Sequence, residues 1–326
     1  MTPPPHRLSV APMMDWTDRH CRAFHRALTG RALLYTEMVT APAVVHGDRA
    51  RLLGFDAVEH PVALQLGGSD PDQLAQAARI GAAMGYDEIN LNVGCPSDRV
   101  QSGRFGACLM REPGLVADCM AAIKGAVAVP ATVKCRIGVD DQEPEISLFA
   151  TVDACAAVGV TTFIVHARKA WLSGLSPKEN RDIPPLRYDW VHRLKQERPA
   201  LRISLNGGLA TVEACVEQLA RVDAVMIGRM AYHEPYKLHL LDCALSGREP
   251  RRREDLLRDY LPYVQRHLDK GLVLKHITRH ILGLYHAQAG GRAYRQILSE
   301  GAPRSDAGLA LVEKAIAVTQ APERAA

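Results

Sequence analysis

Two short glycine segments end apolar runs and could bind a phosphate group. Asn206-Gly207-Gly208 follows RISL, and Gly228-Arg229 follows AVMI. Backbone N–H groups bind phosphate where glycine lets the chain approach closely, and an arginine adds a charge-assisted contact. The two segments therefore predict a phosphorylated ligand, although glycines that only form turns would look the same in sequence.

Three polar side chains interrupt or follow other apolar runs. Lys134 lies inside ATVKCRIG, His166 follows FIV, and Gln65 follows VAL. A lysine in an apolar strand is rarely buried without a partner, so we expect its amine to face an anion or a carbonyl. A Schiff-base lysine is the alternative, and His166 could equally be a core group. Because the Gln65 amide suits the edge of a heterocycle, the three residues together indicate a pocket for a planar, phosphate-bearing cofactor.

Cys95 differs from the other cysteines in its surroundings. It lies in NVGCPSDRVQSGRFGACLM, where Gly94 and Pro96 fix a turn after an apolar run. We expect this turn to direct the thiol toward the same pocket. No histidine is near it in sequence, so there is no local sign of a thiolate–imidazole pair. A protonated thiol in a pocket can serve as a general acid.

The elements that must position these residues are eight short apolar runs that alternate with helix-like stretches. The runs begin at Arg7, Leu33, Pro61, Glu88, Ala131, Thr162, Arg202 and Ala224. Nearly continuous apolar strands between helices are typical of a parallel sheet covered on both faces. Eight such units fit a closed (β/α)8 TIM barrel, with its active site at the carboxyl ends of the strands. An open doubly wound sheet is the alternative.

The last quarter of the chain is helical in pattern and more basic than the rest. Residues 246–326 carry 14 Lys and Arg against nine Asp and Glu, whereas residues 1–245 carry 26 against 27. We expect a catalytic barrel over residues 1–245 and an all-helical domain over residues 246–326. The excess positive charge suits a polyanion, but a solvated helix face would have the same composition.

Several classes of protein are excluded by composition and spacing. The eight cysteines form no CxxC pair, and HITRH has Ile277 where a metalloprotease HExxH needs its glutamate. We therefore expect no disulfide framework and no metal, and we interpret Lys275 and Arg279 as part of a basic surface. No apolar run approaches the roughly 18 residues of a membrane span, and the start lacks the order of a signal peptide. The expected location is the cytoplasm.

The sequence resembles the tRNA-dihydrouridine synthases, specifically their A subfamily, along almost the whole chain. The most specific segment is HARKAWLSGLSPKENRDIPPLRYDWVHRLK, supported by SVAPMMDWTDRHCR, QLGG, the Cys95 segment, VKCRIGVDD, NGG, VMIGRMAY and ITRHILGLYH. The resemblance implies a flavin barrel with a helical tRNA-binding domain that reduces uridines 20 and 20a of the D-loop. It also implies bound FMN and NADPH as the electron donor. We expect a monomer.

The resemblance implies roles for individual residues. Cys95 matches the family's catalytic cysteine. The residues that match FMN contacts are Pro12, Met13, Met14, Gln65, Lys134, His166, Asn206, Gly207, Gly208, Gly228 and Arg229. The residues expected to contact tRNA are Asn92, Arg168, Lys178, Arg181, Arg292 and Arg295, the last two by a looser match. Two departures are Leu209, where isoleucine is usual, and Tyr294, where tryptophan is more frequent.

Reduction of the uracil C5=C6 bond explains why these groups are needed. Hydride addition at C6 leaves an enolate, so we expect reduced FMN to supply the hydride and Cys95 to protonate C5. We expect Lys134 to stabilise negative charge on the reduced flavin near N1 and the C2 carbonyl. The sequence has no GxGxxG motif, so it does not locate an NADPH site.

Three other functions fit parts of the pattern. A flavin barrel that acts on a free pyrimidine, such as a dihydroorotate-type dehydrogenase, would use a similar lysine and similar phosphate loops but would not need a basic helical tail. A non-catalytic RNA-binding protein would be colourless when purified. A Schiff-base aldolase would also lack flavin colour, and borohydride would trap its intermediate.

Overall fold

The computed structural model describes residues 6–97, 100 and 103–320, and in this range eight parallel strands form a closed barrel. The strands are β1 (Leu8–Val10), β2 (Leu33–Thr40), β3 (Val62–Gly67), β4 (Glu88–Val93), β5 (Ala131–Arg136), β6 (Thr162–His166), β7 (Arg202–Asn206) and β8 (Ala224–Ile227). β1 pairs with both β2 and β8, which closes the sheet. The predicted TIM barrel is confirmed, and the open-sheet alternative is wrong.

Helices cover the outside of the barrel, which is why the strands have few exposed residues. They span Arg19–Leu28, Ala41–His46, Arg49–Leu53, Pro71–Ala83, Pro113–Ala126, Pro144–Ala157, Tyr188–Glu197, Val212–Gln218, Arg229–His233 and Tyr236–Ser246. Short 3-10 helices span Ala57–Glu59, Gly106–Arg111 and Glu179–Arg181. Every residue of β3 and β4 is buried, as expected for strands enclosed on both sides.

Two helix starts follow directly from side-chain chemistry. The Asp70 carboxylate accepts hydrogen bonds from the backbone N–H groups of Asp72 and Gln73, and the Thr211 hydroxyl accepts one from Ala214. Such caps satisfy N–H groups that have no partner within the helix, and each typically contributes about 1 kcal/mol.

The described chain after β8 contains helices and no strand. Beyond the helix Tyr236–Ser246, the helices span Arg253–Leu268, Lys275–Thr278, Gly291–Gly301 and Leu309–Gln320. We call residues 253–320 the helical region. The predicted domain division at residues 245 and 246 stays a prediction, and its outer limits at residues 1 and 326 lie outside the described residues. None of the helices in the described ranges is long and apolar enough to cross a membrane.

The helical region contacts the barrel through the helix Arg19–Leu28. The Tyr260 hydroxyl donates to the backbone oxygen of His20 at 2.9 Å, and the Tyr263 hydroxyl lies 2.8 Å from Nδ1 of the same histidine. Both tyrosines are buried. They place the helix Arg253–Leu268 directly on the barrel wall.

A second contact pairs Arg279 of HITRH, interpreted from sequence as part of a basic surface, with the barrel. Lys275 is exposed, but the Arg279 guanidinium donates to the backbone oxygen of Asp15 at 2.7 Å and to the Asp18 carboxylate at 2.9 Å. The fully buried His280 ring lies 3.0 Å from the same carboxylate. Arg279 therefore joins the helical region to the loop after β1.

Candidate active site

A cavity of about 700 Å³ opens at the carboxyl ends of the strands, and its wall contains residues of β2 to β8 and of the segment that follows β1. The cavity brings together Cys95 and all of the predicted FMN contacts, which are far apart in sequence. Asn92 and Arg181 line it as well, whereas Arg168, Lys178, Arg292 and Arg295 do not. Active sites of TIM barrels lie at this end of the fold.

The segment after β7 requires glycine at two consecutive positions. Gly207 and Gly208 have φ values of +107° and +68°, a region that favours glycine. A Cβ at Gly207 would also lie 2.6 Å from the His166 ring. The Tyr188 hydroxyl donates to the backbone oxygen of Gly207 at 2.6 Å and fixes the turn from outside. The segment therefore presents bare backbone to the cavity in a defined position.

Lys134 is a cation in the cavity wall with a neutral partner. Its Nζ donates to Asn206 Oδ1 at 3.1 Å, and the Asn206 amide in turn donates to the backbone oxygen of Met226 at 2.8 Å. Burial, together with repulsion from Arg136, lowers the pKa of Lys134 to about 8. No carboxylate of the described chain forms an ion pair with this amine. A half-buried cation in such surroundings favours an anionic or electron-rich ligand.

Arg136 is a second cation in the same wall, and it is buried. Its guanidinium donates to the backbone oxygens of Gly94 at 3.1 Å, Lys169 at 3.0 Å and Asn180 at 2.8 Å. Burial lowers its pKa to about 10. Arg136 thus joins the turn before Cys95 to the long loop after β6. The available signal is its spacing of two residues from Lys134, which puts both on one face of a strand.

Burial and the two cations together keep His166 uncharged. Burial, with repulsion from Arg136 and Lys134, lowers the pKa of His166 well below its ordinary value. The ring is therefore neutral near pH 7, and it can offer one hydrogen-bond donor and one acceptor. A neutral imidazole next to the cations Lys134 and Arg136 leaves the net charge of this wall positive.

The Cys95 turn is held by the side chain of Asn92. Asn92 Oδ1 accepts hydrogen bonds from the backbone N–H groups of Gly94 at 3.1 Å and Cys95 at 2.9 Å. The half-buried thiol lines the cavity, with Sγ 3.4 Å from the Ser97 hydroxyl. The turn therefore presents Cys95 to the space that Lys134 and the glycine segments also face.

Asn92 and Arg168, two of the predicted tRNA contacts, are buried and hold loops, and their contact with tRNA stays a prediction. Asn92 is 8% exposed and fixes the Cys95 turn, and Arg168 is 9% exposed. The Arg168 guanidinium donates to the backbone oxygens of Asp182 and Pro184. In this structure neither side chain is presented on the outer surface.

The other predicted tRNA contacts lie at or near the surface. Lys178 is exposed and Arg181 is half-buried in the loop after β6. Arg292 is exposed and Arg295 half-exposed on the helix Gly291–Gly301, and neither forms an ion pair with any described residue. Arg229, predicted to contact phosphate, forms an ion pair of 2.7 Å with Asp182 at the mouth of the cavity.

The two histidines of HITRH lie in different surroundings. His276 is exposed and His280 is buried, so the two rings do not share one face. Within residues 6–97, 100 and 103–320, no group of three or more His, Cys, Asp and Glu side chains could hold a metal ion.

The closed barrel and the cation-lined cavity at its carboxyl end define a TIM-barrel protein with one candidate active site. In fold, the chain is similar to the old yellow enzyme homologue from Zymomonas mobilis, with a TM-score of 0.53 and 12% identity over 76% of this chain and 90% of that chain. The chain belongs to the dihydrouridine synthase family, whose model matches residues 9–321. The predicted family is confirmed.

Curated relatives agree with this assignment over nearly their full length. The chain is 68% identical to the tRNA-dihydrouridine(20/20a) synthase of Xanthomonas campestris pv. campestris, over 95% of this chain and 92% of the relative. It is 59% identical to the protein of the same name from Xylella fastidiosa strain 9a5c, over 97% of this chain and 94% of the relative. The protein of that name from Vibrio cholerae is 52% identical, over 95% and 96% of the two chains.

Proposed function

We propose that this protein reduces uridines 20 and 20a of the tRNA D-loop to 5,6-dihydrouridine, with bound FMN and with NADPH as the electron donor. The observation that carries the proposal is that Cys95, Lys134 and the glycine segments line one cavity. The names of the relatives supply the substrate, and their near-complete alignment supports its transfer to this chain.

The residues of the cavity fit FMN. The volume of about 700 Å³ lies within the range of small-molecule sites. Arg136 is buried and Lys134 is half-buried, and neither has a carboxylate partner among the described residues, so an anionic ligand would offset their charge. Gly207, Gly208 and Gly228 would hold the phosphate, and Lys134 would lie at the pyrimidine part of the ring. When bound, FMN supplies a hydride for C6 of the uracil ring.

The chain's own residues provide the proton and the charge stabilisation. Cys95 Sγ–H is the acid that we propose protonates C5 of uracil. Lys134, charged at pH 7, stabilises negative charge near N1 and the C2 carbonyl of the flavin. The neutral His166 and the Gln65 amide offer hydrogen bonds to the cofactor without adding charge. The turn held by Asn92 keeps the thiol in position.

The substrate base must leave the stack of the folded tRNA before it can enter the cavity. Lys178 and Arg181, in the loop after β6, are placed to contact the RNA near the cavity mouth. Arg292 and Arg295 are free of ion pairs with described residues and are available for phosphates. We therefore propose that these basic residues position the tRNA and that the mouth of the cavity selects the base.

The decisive experiment maps dihydrouridine in tRNA from a deletion strain with and without this gene. We expect positions 20 and 20a to lose dihydrouridine in the deletion strain and to regain it on complementation. Unchanged tRNA would contradict the proposal. Purified protein should be yellow, and a colourless preparation that binds no added FMN would contradict the flavin assignment.

A further inference from the structure

A line of buried polar side chains runs through the barrel wall from the start of β4 to the Cys95 turn. Neighbouring strands place Gln65 beside Asn90 and Asn90 beside Thr132 in register. Asn90 Nδ2 donates to Thr132 Oγ1 at 2.8 Å, and Thr132 donates to Glu88 Oε1 at 2.6 Å. Gln65 Nε2 donates to Asn90 Oδ1 at 2.8 Å. Asn92 Nδ2 completes the line by donating to Gln65 Oε1 at 2.9 Å.

The Cys95 turn is compatible with only one direction of these hydrogen bonds. The backbone N–H groups of Gly94 and Cys95 can only donate, so the Asn92 atom that faces them must be its oxygen. The Asn92 nitrogen therefore faces Gln65, which must present its own oxygen. The same step repeats at Asn90, because each amide has one donor end and one acceptor end. If any one of these hydrogen bonds were reversed, two donors or two acceptors would face each other.

The other end of the line imposes the same direction. Glu88 Oε1 accepts from Thr132 and also from the Tyr35 hydroxyl. Thr132 has a single hydroxyl hydrogen, and because that hydrogen points to Glu88, the Thr132 oxygen is left to accept from Asn90. Glu88 and Thr132 are buried and do not line the cavity. The hydrogen bonds at both ends of the line therefore have the same direction. Between them, the Gln65 nitrogen donates to Asn90 and the Gln65 oxygen accepts from Asn92.

We propose that Thr132 and Glu88 are positioning residues that fix the direction of this hydrogen-bond chain, and thereby the orientation of the Gln65 amide and of the turn that carries Cys95. In that orientation Gln65 has one N–H group left for a ligand in the cavity. The part of this inference that concerns FMN rests on the proposed function. The part that concerns the Cys95 turn rests on geometry alone.

The test compares Thr132→Val with Thr132→Ser. Valine has nearly the shape of threonine but no hydroxyl, so Asn90 Nδ2 loses its acceptor, whereas serine keeps the acceptor and should rescue. We expect Thr132→Val to weaken FMN binding about tenfold, equivalent to about 1.4 kcal/mol, because a buried donor is left unpaired. We also expect iodoacetamide to alkylate Cys95 several-fold faster in the FMN-free protein, followed by peptide mass spectrometry. Thr132→Ser should match the wild type in both.

Tyr35→Phe is the matched control. It removes another hydrogen bond to Glu88, but one that lies off the line to Gln65. We expect this variant to melt at a lower temperature while FMN affinity and Cys95 alkylation stay at wild-type values. Should Thr132→Val fail to fold, Thr132→Cys carries the same test, because its thiol is a weak acceptor.

The outcomes separate this inference from the proposed function. A Thr132→Val protein that only melts earlier, with wild-type FMN affinity and Cys95 alkylation, would overturn the inference. A wild-type protein that neither binds FMN nor forms dihydrouridine would overturn the proposed function instead. In that second case, faster Cys95 alkylation in Thr132→Val than in Thr132→Ser would still support the role of the chain in holding the turn.

Discussion

Cys95 owes its position to groups that do not touch the thiol. Asn92 binds the backbone N–H groups of the turn, and Arg136 binds the backbone oxygen of Gly94. Removal of the Sγ atom therefore leaves the turn and the cavity wall in place. A substitution at Cys95 should test chemistry with little effect on structure.

We expect Cys95→Ala to keep flavin reduction by NADPH and to lose dihydrouridine formation by about 10²- to 10⁴-fold, the usual contribution of a general acid. The measurements are stopped-flow flavin absorbance and dihydrouridine content of tRNA. Cys108→Ala is the control, because Cys108 is also half-buried but its thiol donates to the backbone oxygen of Phe105. Normal turnover of Cys95→Ala would refute the role of the thiol.

The lowered pKa of Lys134 predicts a pH dependence. In the folded protein this pKa is about 8, below its ordinary 10.5, so the unfolded chain binds more protons between these values. The FMN-free protein should therefore gain stability as pH rises from about 8 toward 10.5. FMN affinity should change in the opposite sense and fall above pH 8, because the amine loses its charge. Measurements of FMN affinity and of the stability of the FMN-free protein from pH 7 to 9.5 check both expectations.

Lys134→Met supplies the comparison for both pH effects. We expect the variant to bind FMN more weakly at pH 7 and to lose the fall in affinity above pH 8. The stability of the variant should rise less than that of the wild type between pH 8 and 10.5, because the contribution of Lys134 is missing. If wild type and variant show the same pH dependence, another group is responsible.

At the scale of elements, the sequence predicts the strands well and the contacts between them poorly. The eight strands are recognisable because each is a nearly continuous apolar run, and their polar ends identify most of the cavity wall. The chain through Asn90 depends on register, which places Gln65 and Thr132 on either side of it. Register between neighbouring strands is set by packing of the whole barrel, so separate runs do not reveal it.

Contacts between distant elements are hidden for the same reason. Arg168 and Arg279 appear in sequence as basic residues with no partner nearby. In the structure one holds the loop after β6, and the other binds the loop after β1 across 261 sequence positions. Only the fold determines whether such an arginine is available to RNA.

The joint between the helical region and the barrel has Asp18 at its centre. Its carboxylate caps the helix Arg19–Leu28 through the N–H groups of His20 and Cys21, and it also contacts Arg279 and His280. Burial raises the pKa of Asp18, but hydrogen bonding and attraction from His280 outweigh it, so the net pKa is low. The contribution of this carboxylate is therefore present at neutral pH and lost as pH falls below its ordinary value.

Asp18→Asn and Asp18→Ala separate the two tasks of this residue. Asparagine is a good N-cap but carries no charge, whereas alanine loses both cap and charge. We expect both variants to unfold at lower urea concentration, with alanine about 1 kcal/mol less stable than asparagine. Equal stability of the two variants would show that the cap contributes nothing. Wild-type stability in both variants would show that the Asp18 contacts with the helical region do not stabilise the protein.

At the scale of the whole molecule, positive charge is unevenly distributed and only part of it is free. Many arginines of the described chain pair with carboxylates; on the helix Tyr188–Glu197 and just after it, Arg193 pairs with Glu145 and Arg198 with Asp153. Arg292 and Arg295 have no such partner among the described residues. Exposed cations without carboxylate neighbours are those that release counterions when they bind phosphate.

This difference predicts the salt dependence of tRNA binding. Replacing both Arg292 and Arg295 with glutamine should weaken binding and lower the slope of log Kd against log salt concentration by about 1 to 2. The control replaces Arg193 and Arg198 with glutamine, which changes the net charge by the same amount at sites already neutralised by carboxylates. We expect the control to keep the wild-type slope. Equal slopes for both double variants would mean that net charge, rather than this surface, attracts the tRNA, and a salt-independent wild-type affinity would contradict phosphate contacts altogether.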